Sequence, residues 1–298
     1  MTKISFSLRP TSRMPLAMML SGSIGFLVVE SGKEAVTVVF WRCLIGAVAI
    51  TAYAVLTKRI VASTLSRRTV GLMVLSGITM AANWVFFFKA YEHAPIFTVT
   101  IVYHLYPFVL ILASSLFFRE RVQARTMRWA AIAFAGVVAI ATGSGGNAGI
   151  DLMGIGLTAT AMVCYATTLM IAKRLNNVSP ELVSAIQLIV GAIALLPFQT
   201  FSSVDFDAWT WACLAMLGVI HTGLLYVLLY GAVQEMTTSA VALLSFLYPT
   251  TALGFDIMAY GLRPGLIQIA GIALIVVAVL AEREGSRLPR LKWTFKLR

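Results

Sequence analysis

Ten long apolar segments follow one another along this 298-residue chain. A helix that crosses a bilayer needs about 20 apolar residues, so each segment is long enough to span a membrane. Only 12% of the residues are charged, and the runs are continuous rather than alternating as in a membrane barrel. The sequence therefore predicts an all-α integral membrane protein with ten transmembrane helices, at 14–31, 35–56, 69–90, 95–118, 126–143, 151–172, 181–200, 208–232, 237–260 and 264–281.

The basic residues predict the orientation of these helices. With the N-terminus placed in the cytoplasm, 19 of the 23 Lys and Arg residues fall on the cytoplasmic side, as the positive-inside rule requires. Lys33, Lys89 and Arg263 fall outside, and Arg42 lies within the second helix, about two turns from its external end. We expect a multi-pass protein with both termini cytoplasmic. Its net charge of +11 indicates contact with anionic lipid and not with nucleic acid.

The two halves of the chain form a weak internal repeat. A shift of 142 residues places Tyr106-Pro107 on Tyr248-Pro249, and a similar shift places Arg42 on Gln187. Because five is an odd number of crossings, the second copy must enter the membrane from the opposite side, an arrangement typical of secondary transporters. The sequence thus predicts two inverted five-helix repeats, at 14–143 and 151–282, joined by a glycine-rich external linker at 143–149 and followed by a basic cytoplasmic tail at 283–298.

Known catalytic motifs are missing from the sequence. It lacks the phosphate-binding pattern GxxxxGK[ST], the zinc motif HExxH and a Gly-x-Ser-x-Gly elbow, and its three cysteines lack metal-ligand spacing. Transport is therefore favoured over catalysis, and we expect neither a cofactor nor a metal. An intramembrane enzyme and a channel are the alternatives from other classes.

Two prolines fall near the middle of corresponding helices, the fourth and the ninth. A proline has no N–H to donate, so it frees a backbone carbonyl and bends a helix. Because Pro107 and Pro249 occupy equivalent positions in the two repeats, we expect both to act as hinges around a shared site at the bilayer midplane.

Polar and aromatic residues inside the apolar runs are candidates for the substrate site, since polar groups in hydrocarbon must face protein or water. They concentrate on helices three, four, six, eight and nine, where we expect the cavity to be lined by Asn83, Trp84, Tyr103, His104, Tyr165, His221, Tyr226 and Tyr248. Phe86 to Phe88 are expected to face lipid. The fifth and tenth helices are nearly featureless and read as scaffold, with Ala131, Ala135 and Ala139 spaced for close packing.

The charge pattern also bears on the substrate. No Lys or Arg is expected at mid-membrane, so an anion such as a sugar phosphate would lack a clamp, and a neutral or zwitterionic solute fits better. Aromatic walls favour flat apolar groups by stacking or cations through the ring quadrupole. If transport is coupled to protons, a histidine or Asp256 would have to carry them.

Short motifs in this order resemble a known superfamily. They are Phe40-Trp41-Arg42, Tyr106-Pro107, Phe118-Arg119-Glu120-Arg121 and Tyr248-Pro249, with Gln187 in place of the arginine in the second repeat. Over residues 14–282 the chain resembles the drug/metabolite transporter superfamily, in particular its EamA-type permeases. Its aromatic content is similar to that of the YddG amino-acid exporters.

This resemblance implies a function and a location. It implies export of aromatic and other neutral or zwitterionic amino acids, with aromatic cations as a further class, across the bacterial inner membrane by alternating access. A permease for another neutral metabolite or a lipophilic drug is the alternative within transport. The expected partners are the amino-acid substrate and the lipid bilayer, and the chain is expected to be monomeric.

Overall fold

The computed structural model describes residues 10–57, 65–94, 96–142, 152–199, 206–261 and 263–287, and within these ranges the regular structure is entirely helical. The predicted linker at 143–149 and residues 288–298 of the predicted tail lie outside the described residues. Nine of the described segments are long and apolar enough to cross a membrane, and a tenth has a shorter apolar part, Leu266–Glu282. The predicted fold class, ten transmembrane helices in two inverted five-helix repeats, is confirmed.

The described residues form ten spans, and some of these spans consist of two helices. In chain order they are α1 (Pro10–Gly22) with α2 (Ile24–Glu30), α3 (Ala35–Leu56), α4 (Arg67–Ala90), α5 (Ile96–Tyr103) with α6 (Tyr106–Phe117), α7 (Ala124–Thr142), α8 (Leu152–Arg174), α9 (Pro180–Leu195), α10 (Ala208–Gly218) with α11 (Leu225–Glu235), α12 (Thr238–Ser245) with α13 (Leu247–Tyr260), and α14 (Leu266–Arg287). A short 3₁₀ helix, Leu196–Phe198, follows α9, and a π-helical turn, Val219–Leu224, joins α10 to α11.

The fourth and ninth spans are interrupted at matching places. Helix α5 ends at Tyr103 and α12 ends at Ser245, each four residues before its proline, Pro107 or Pro249. A proline cannot donate a hydrogen bond to the carbonyl four residues earlier, so the first helix stops there, and its fixed φ suits the first turn of the next helix. The interruptions therefore follow from the sequence, whereas the hinge role of the prolines stays a prediction.

Spans of one half pack against spans of the other. Helix α3 packs on α9, and α7 packs along α14. The first span, through α1, contacts α11 and α13, and in the mirrored relation α8 contacts α4 and α6. The first span of each half therefore packs against the other half, and residues of both halves surround the space between the halves.

The contact between α7 and α14 is a close approach of two backbones at Gly136 and Gly271. A Cβ atom built on either glycine would lie 2.6 Å from the carbonyl oxygen of the other. Ala131 and Ala135 are exposed, so the prediction that they form the packing surface is wrong. The buried face, which includes Gly136, lies to one side of this alanine stripe around the helix. Alanines can face lipid as well as protein, whereas the close approach of the two backbones requires glycine.

Candidate functional site

An aromatic chamber lies between the two halves of the protein. It encloses about 80 Å³. Its walls come from the first, second, third, fourth, sixth, eighth and ninth spans and consist of Met18, Ser21, Ile24, Arg42, Trp84, Phe87, Phe88, Tyr103, Tyr106, Tyr165, Leu225, Tyr226, Leu229 and Tyr248. We refer to this space as the chamber.

Ring contacts across the chamber join the halves. Tyr165 of α8 stacks on Tyr103 with ring centroids 5.8 Å apart and meets Tyr106 edge to face at 4.8 Å. Trp84 of α4 meets Tyr226 of α11 edge to face at 5.6 Å. Such pairs stabilise a packed aromatic cluster by about 1 kcal/mol each. Each of these groups of rings therefore contains residues of both repeats.

Five of the eight residues predicted to line the cavity do so: Trp84, Tyr103, Tyr165, Tyr226 and Tyr248. The other three, Asn83, His104 and His221, are buried behind the wall. Asn83 donates from Nδ2 to the Tyr103 hydroxyl at 3.1 Å and to the Ala161 carbonyl at 2.8 Å. It therefore positions a tyrosine of the chamber.

The two histidines hold the irregular parts of the helices in place. His104 lies at the break between α5 and α6, where its Nδ1 is 2.7 Å from the Thr100 carbonyl and its ring stacks on Tyr248 at 5.4 Å. His221 lies in the π-helical turn, with its Nε2 2.7 Å from the Ser23 hydroxyl. Ser23 separates α1 from α2, so this bond ties the break in the first span to the turn in the eighth.

Two phenylalanines predicted to face lipid are part of the chamber. Phe87 and Phe88 both line it, and the ring centroid of Phe87 lies 4.4 Å from that of Tyr103. The prediction is wrong for these two residues. A run of three phenylalanines has no polar atom to show which face turns inward, whereas in the structure Phe87 packs on Tyr103 of α5.

Arg42 lines the chamber, although its sequence position predicts a charge near the external end of the second helix. The side chain is only 1% exposed and forms part of the chamber wall. Its guanidinium carbon lies 3.9 Å from the centroid of the Trp84 ring. The sequence position, two turns inside the helix, is as expected, but a long side chain can reach a cavity from there. The chamber therefore contains a cation.

The chamber is small in this conformation. About 80 Å³ holds two or three water molecules, each with a share of about 30 Å³, whereas sites for drug-sized ligands enclose about 300 Å³ or more. As described, the chamber therefore leaves less room than a drug-sized ligand needs.

A larger cavity, of about 360 Å³, lies on the other side of α11. It is bordered by α3, α9 and Arg13, and its lining combines aliphatic side chains such as Ile50 and Leu228 with polar ones, among them the buried Glu181. Arg13 at its rim pairs with Glu235 at 2.7 Å. The chamber differs from this cavity in its aromatic faces and in the buried Arg42, and it is the candidate site that we consider further.

Ion pairs join the halves at the face where α1 begins and α14 ends, which we call the basic face. Glu120, between α6 and α7, pairs with Lys173 at 2.8 Å and accepts from the backbone N–H of Thr238 at 3.0 Å. Lys173 also donates to the Met236 carbonyl at 2.8 Å. We call this group the basic-face latch. Arg13 with Glu235 and Arg125 with Glu282 add further pairs at this face.

The latch predicts a response to pH and to mutation. Partial burial raises the pKa of Glu120, but hydrogen bonds and the charge of Lys173, with donation from Thr238, outweigh it and hold the pKa below its ordinary 4.5. The ionised carboxylate therefore stabilises the latch above that ordinary value, and the stabilisation is lost as the pH falls through the lowered pKa. Glu120→Gln should destabilise the latch by about 1 kcal/mol, which corresponds to an open population about five times larger.

Hydrogen exchange at the first amides of α12 measures this opening. At neutral pH these amides should exchange faster in Glu120→Gln than in the wild type. After correction for the intrinsic rate, exchange in the variant should not change as the pH is lowered. Glu92→Gln, which removes an exposed carboxylate at the opposite face, is the matched control. Equal protection in both variants would contradict the latch.

Comparisons with known proteins place these features in a family context. The EamA-like transporter family matches residues 14–142 and 152–281. A relative from Bacillus subtilis (strain 168), the uncharacterized transporter YxxF, is 30% identical over 280 residues, which cover 92% of this chain and 90% of that protein. The pseudopaline exporter CntI of Pseudomonas aeruginosa is 26% identical over 248 residues, which cover 83% and 85%.

A solved crystal structure supports the fold. It superimposes with a TM-score of 0.80 at 20% sequence identity and covers 91% of this chain and 96% of its own. At this identity the likeness concerns the fold alone.

Proposed function

Because this chain belongs to the EamA-like transporter family, we propose that it exports amino acids, aromatic ones and other neutral or zwitterionic ones, across the bacterial inner membrane. Membership of this family makes the protein a membrane transporter. We add to this the class of substrate, the direction of transport and the membrane in which it acts. One of its relatives is named as an exporter of pseudopaline, which supports outward movement of a metabolite.

The observation that carries the proposal is the chamber itself. It lies at the interface of two inverted halves, which is where secondary transporters bind their substrates. Its walls present the faces and edges of rings, on which an aromatic or branched side chain packs well. Its lining also includes residues with polar groups, among them Ser21 and Tyr248, and such groups orient a zwitterion.

Alternating access supplies the mechanism. The interrupted fourth and ninth spans meet across the halves, since α6 contacts α12. We propose that motion at the two interruptions, next to Pro107 and Pro249, widens the chamber towards one face at a time. With the termini in the cytoplasm the basic face is the cytoplasmic one, so the basic-face latch would have to open before a cytoplasmic substrate enters.

Counterflow in proteoliposomes tests the proposal. The purified chain is reconstituted in vesicles loaded with unlabelled L-phenylalanine, and uptake of labelled L-phenylalanine is followed with and without a pH gradient. We expect saturable uptake that L-leucine reduces by competition. Protein-free vesicles are the control. Labelled substrate recovered as a different compound would indicate an enzyme, flux without saturation would indicate a channel, and absence of counterflow for all amino acids would contradict the proposal.

His221 provides a sharper test of how the site is coupled to the helices. Its contact with Ser23 bridges the first and eighth spans, and loss of such a buried bond costs about 1 to 3 kcal/mol. We expect His221→Ala and Ser23→Ala each to lower the maximal counterflow rate about tenfold.

Because both variants remove the same bond, the double variant should be no slower than the slower single one. Counterflow rates per folded protein measure this. If the rate reduction in the double variant equals the product of the two single reductions, the two residues act independently. His221 would then have a role apart from its bond with Ser23.

A further inference from the structure

We propose that the guanidinium of Arg42 is the carboxylate-binding group of the chamber, so that the transported solute carries a carboxylate beside an apolar or aromatic body. This inference rests on the export function proposed above and specifies the chemistry of the same site. It rests on the burial of Arg42, on its hydrogen bonds and on the charges around it.

Within the described part of the chain, the charge of Arg42 has no acidic partner. Among the described residues that line the chamber, Arg42 is the one that carries a formal charge, and the ion pairs within the described ranges do not include it. A buried cation without a partner is strongly unfavourable in a low-dielectric interior. A substrate anion in the chamber removes that penalty, whereas a cationic substrate adds to it.

Arg42, which lines the chamber, has one donor nitrogen without a partner among the described residues. Its Nε donates to the Thr222 hydroxyl at 3.1 Å, and its Nη2 is 3.4 Å from the His221 carbonyl. The Nη1 group is buried and meets no acceptor within the described part of the chain. Arginine offers five N–H donors in a planar fork that matches the two oxygens of a carboxylate. An unpaired N–H of Nη1, together with an N–H of the neighbouring Nη2, can form this fork with a carboxylate.

The surrounding residues hold the guanidinium in place. The Thr222 hydroxyl donates to the Leu217 carbonyl at 2.7 Å, a contact five residues back along the π-helical turn, so its lone pairs are left to accept from Arg42. Trp84 covers one face of the guanidinium at 3.9 Å. Turns of this kind occur frequently at functional sites. Thr222 is thus a positioning residue for the charge.

The number of charges selects the substrate further. A single guanidinium balances one carboxylate, whereas a phosphate monoester carries nearly two negative charges at neutral pH and would remain half neutralised. Tyrosine rings on the remaining walls suit the uncharged part of the solute. The chamber therefore fits a monocarboxylate such as a neutral amino acid, and it disfavours aromatic cations, which the aromatic walls alone would have admitted.

The repeat suggests a variant that should fold. Gln187 occupies the position of Arg42 in the second half, where it is fully buried and donates from Nε2 to the Ser76 hydroxyl. Glutamine is thus accepted at this place in the fold, which makes Arg42→Gln the variant of choice. Arg42→Lys retains the charge without the fork and serves as the second variant.

The test compares matched ligands on the purified protein. Binding of L-phenylalanine, 3-phenylpropionate, L-phenylalanine amide and 2-phenylethylamine is followed by tryptophan fluorescence and thermal shift. We expect both acids to bind, and the amide and the amine to bind about 30-fold more weakly or worse. Arg42→Gln should lose about the same factor for the acids and no longer prefer them, while Arg42→Lys should keep the preference at reduced affinity.

Three results would overturn the inference: an amide that binds as tightly as its acid, a preference for acids that survives in Arg42→Gln, or failure of both acids to bind the wild type. Counterflow measurements distinguish failure of the carboxylate site from failure of the proposed export function. Counterflow of L-phenylalanine that persists in Arg42→Gln rejects the carboxylate site and leaves amino-acid export standing. Binding of the acids without any counterflow of amino acids rejects the export function and leaves the site.

Discussion

Replacement of Trp84 by alanine should reduce counterflow of L-phenylalanine by about 100-fold per folded protein. Trp84 lies over the Arg42 guanidinium at 3.9 Å and meets the Tyr226 ring at 5.6 Å. A desolvated cation–π contact contributes about 2 kcal/mol and an aromatic pair about 1 kcal/mol, and about 3 kcal/mol corresponds to that factor. Without the indole, the guanidinium loses the surface that orients it and the chamber loses its wall.

Two further variants separate this effect from loss of folding. Trp84→Phe keeps a ring beside Arg42 and should retain intermediate activity. Trp209→Ala makes the same substitution at a half-exposed position on α10, outside the chamber, and should transport normally. Size-exclusion chromatography gives the folded amount of each variant. Normal counterflow in Trp84→Ala would remove this residue from the site.

Alanine at Gly136 should lower the free energy of unfolding by about 1 to 3 kcal/mol, the usual effect of forcing atoms into a packed interior, and leucine there should prevent assembly of the α7–α14 pair. A Cβ atom at Gly136 would lie 2.6 Å from the Gly271 carbonyl and 2.8 Å from a side-chain carbon of Ile275. Because one of these atoms belongs to the backbone, the helices must separate. Thermal unfolding in detergent measures the loss as a lower melting temperature.

Gly156 is the matched control for this experiment. It lies on α8, and nothing stands within 4 Å of a Cβ atom built there. Gly156→Ala should therefore leave stability unchanged or raise it by up to about 1 kcal/mol, because alanine favours a helix over glycine. If both alanine variants melt alike, the close approach of α7 and α14 does not limit packing.

The sequence predicts the spans well because hydropathy over about 20 residues is a strong signal. It also places the interruptions of the fourth and ninth spans, since Pro107 and Pro249 remove a defined hydrogen bond. It does not show the break at Ser23 or the π-helical turn near His221. No proline marks either one, and both depend on tertiary bonds such as the one that joins these two residues.

The sequence predicts only part of the site, because it shows the type of each residue but not the direction of its side chain. Large aromatic residues inside apolar runs, such as Tyr165 and Tyr226, are recognised by type. Whether a side chain reaches the chamber or supports it depends on its rotation about the helix, so Asn83 and His104 cannot be told apart from lining residues by sequence alone. The position of Arg42, about two turns from the external end of its helix, does not predict a charge in the chamber, but the length of its side chain brings the guanidinium there.

The difference between Arg42 and Gln187 has an energetic consequence. In an inverted-repeat protein the two access states arise when the halves exchange conformations, and identical halves would make these states equal in energy. A buried guanidinium in one half and a neutral amide in the other remove this degeneracy. The resting protein should therefore favour one state, and ligand charge, acting on Arg42 alone, should shift that preference.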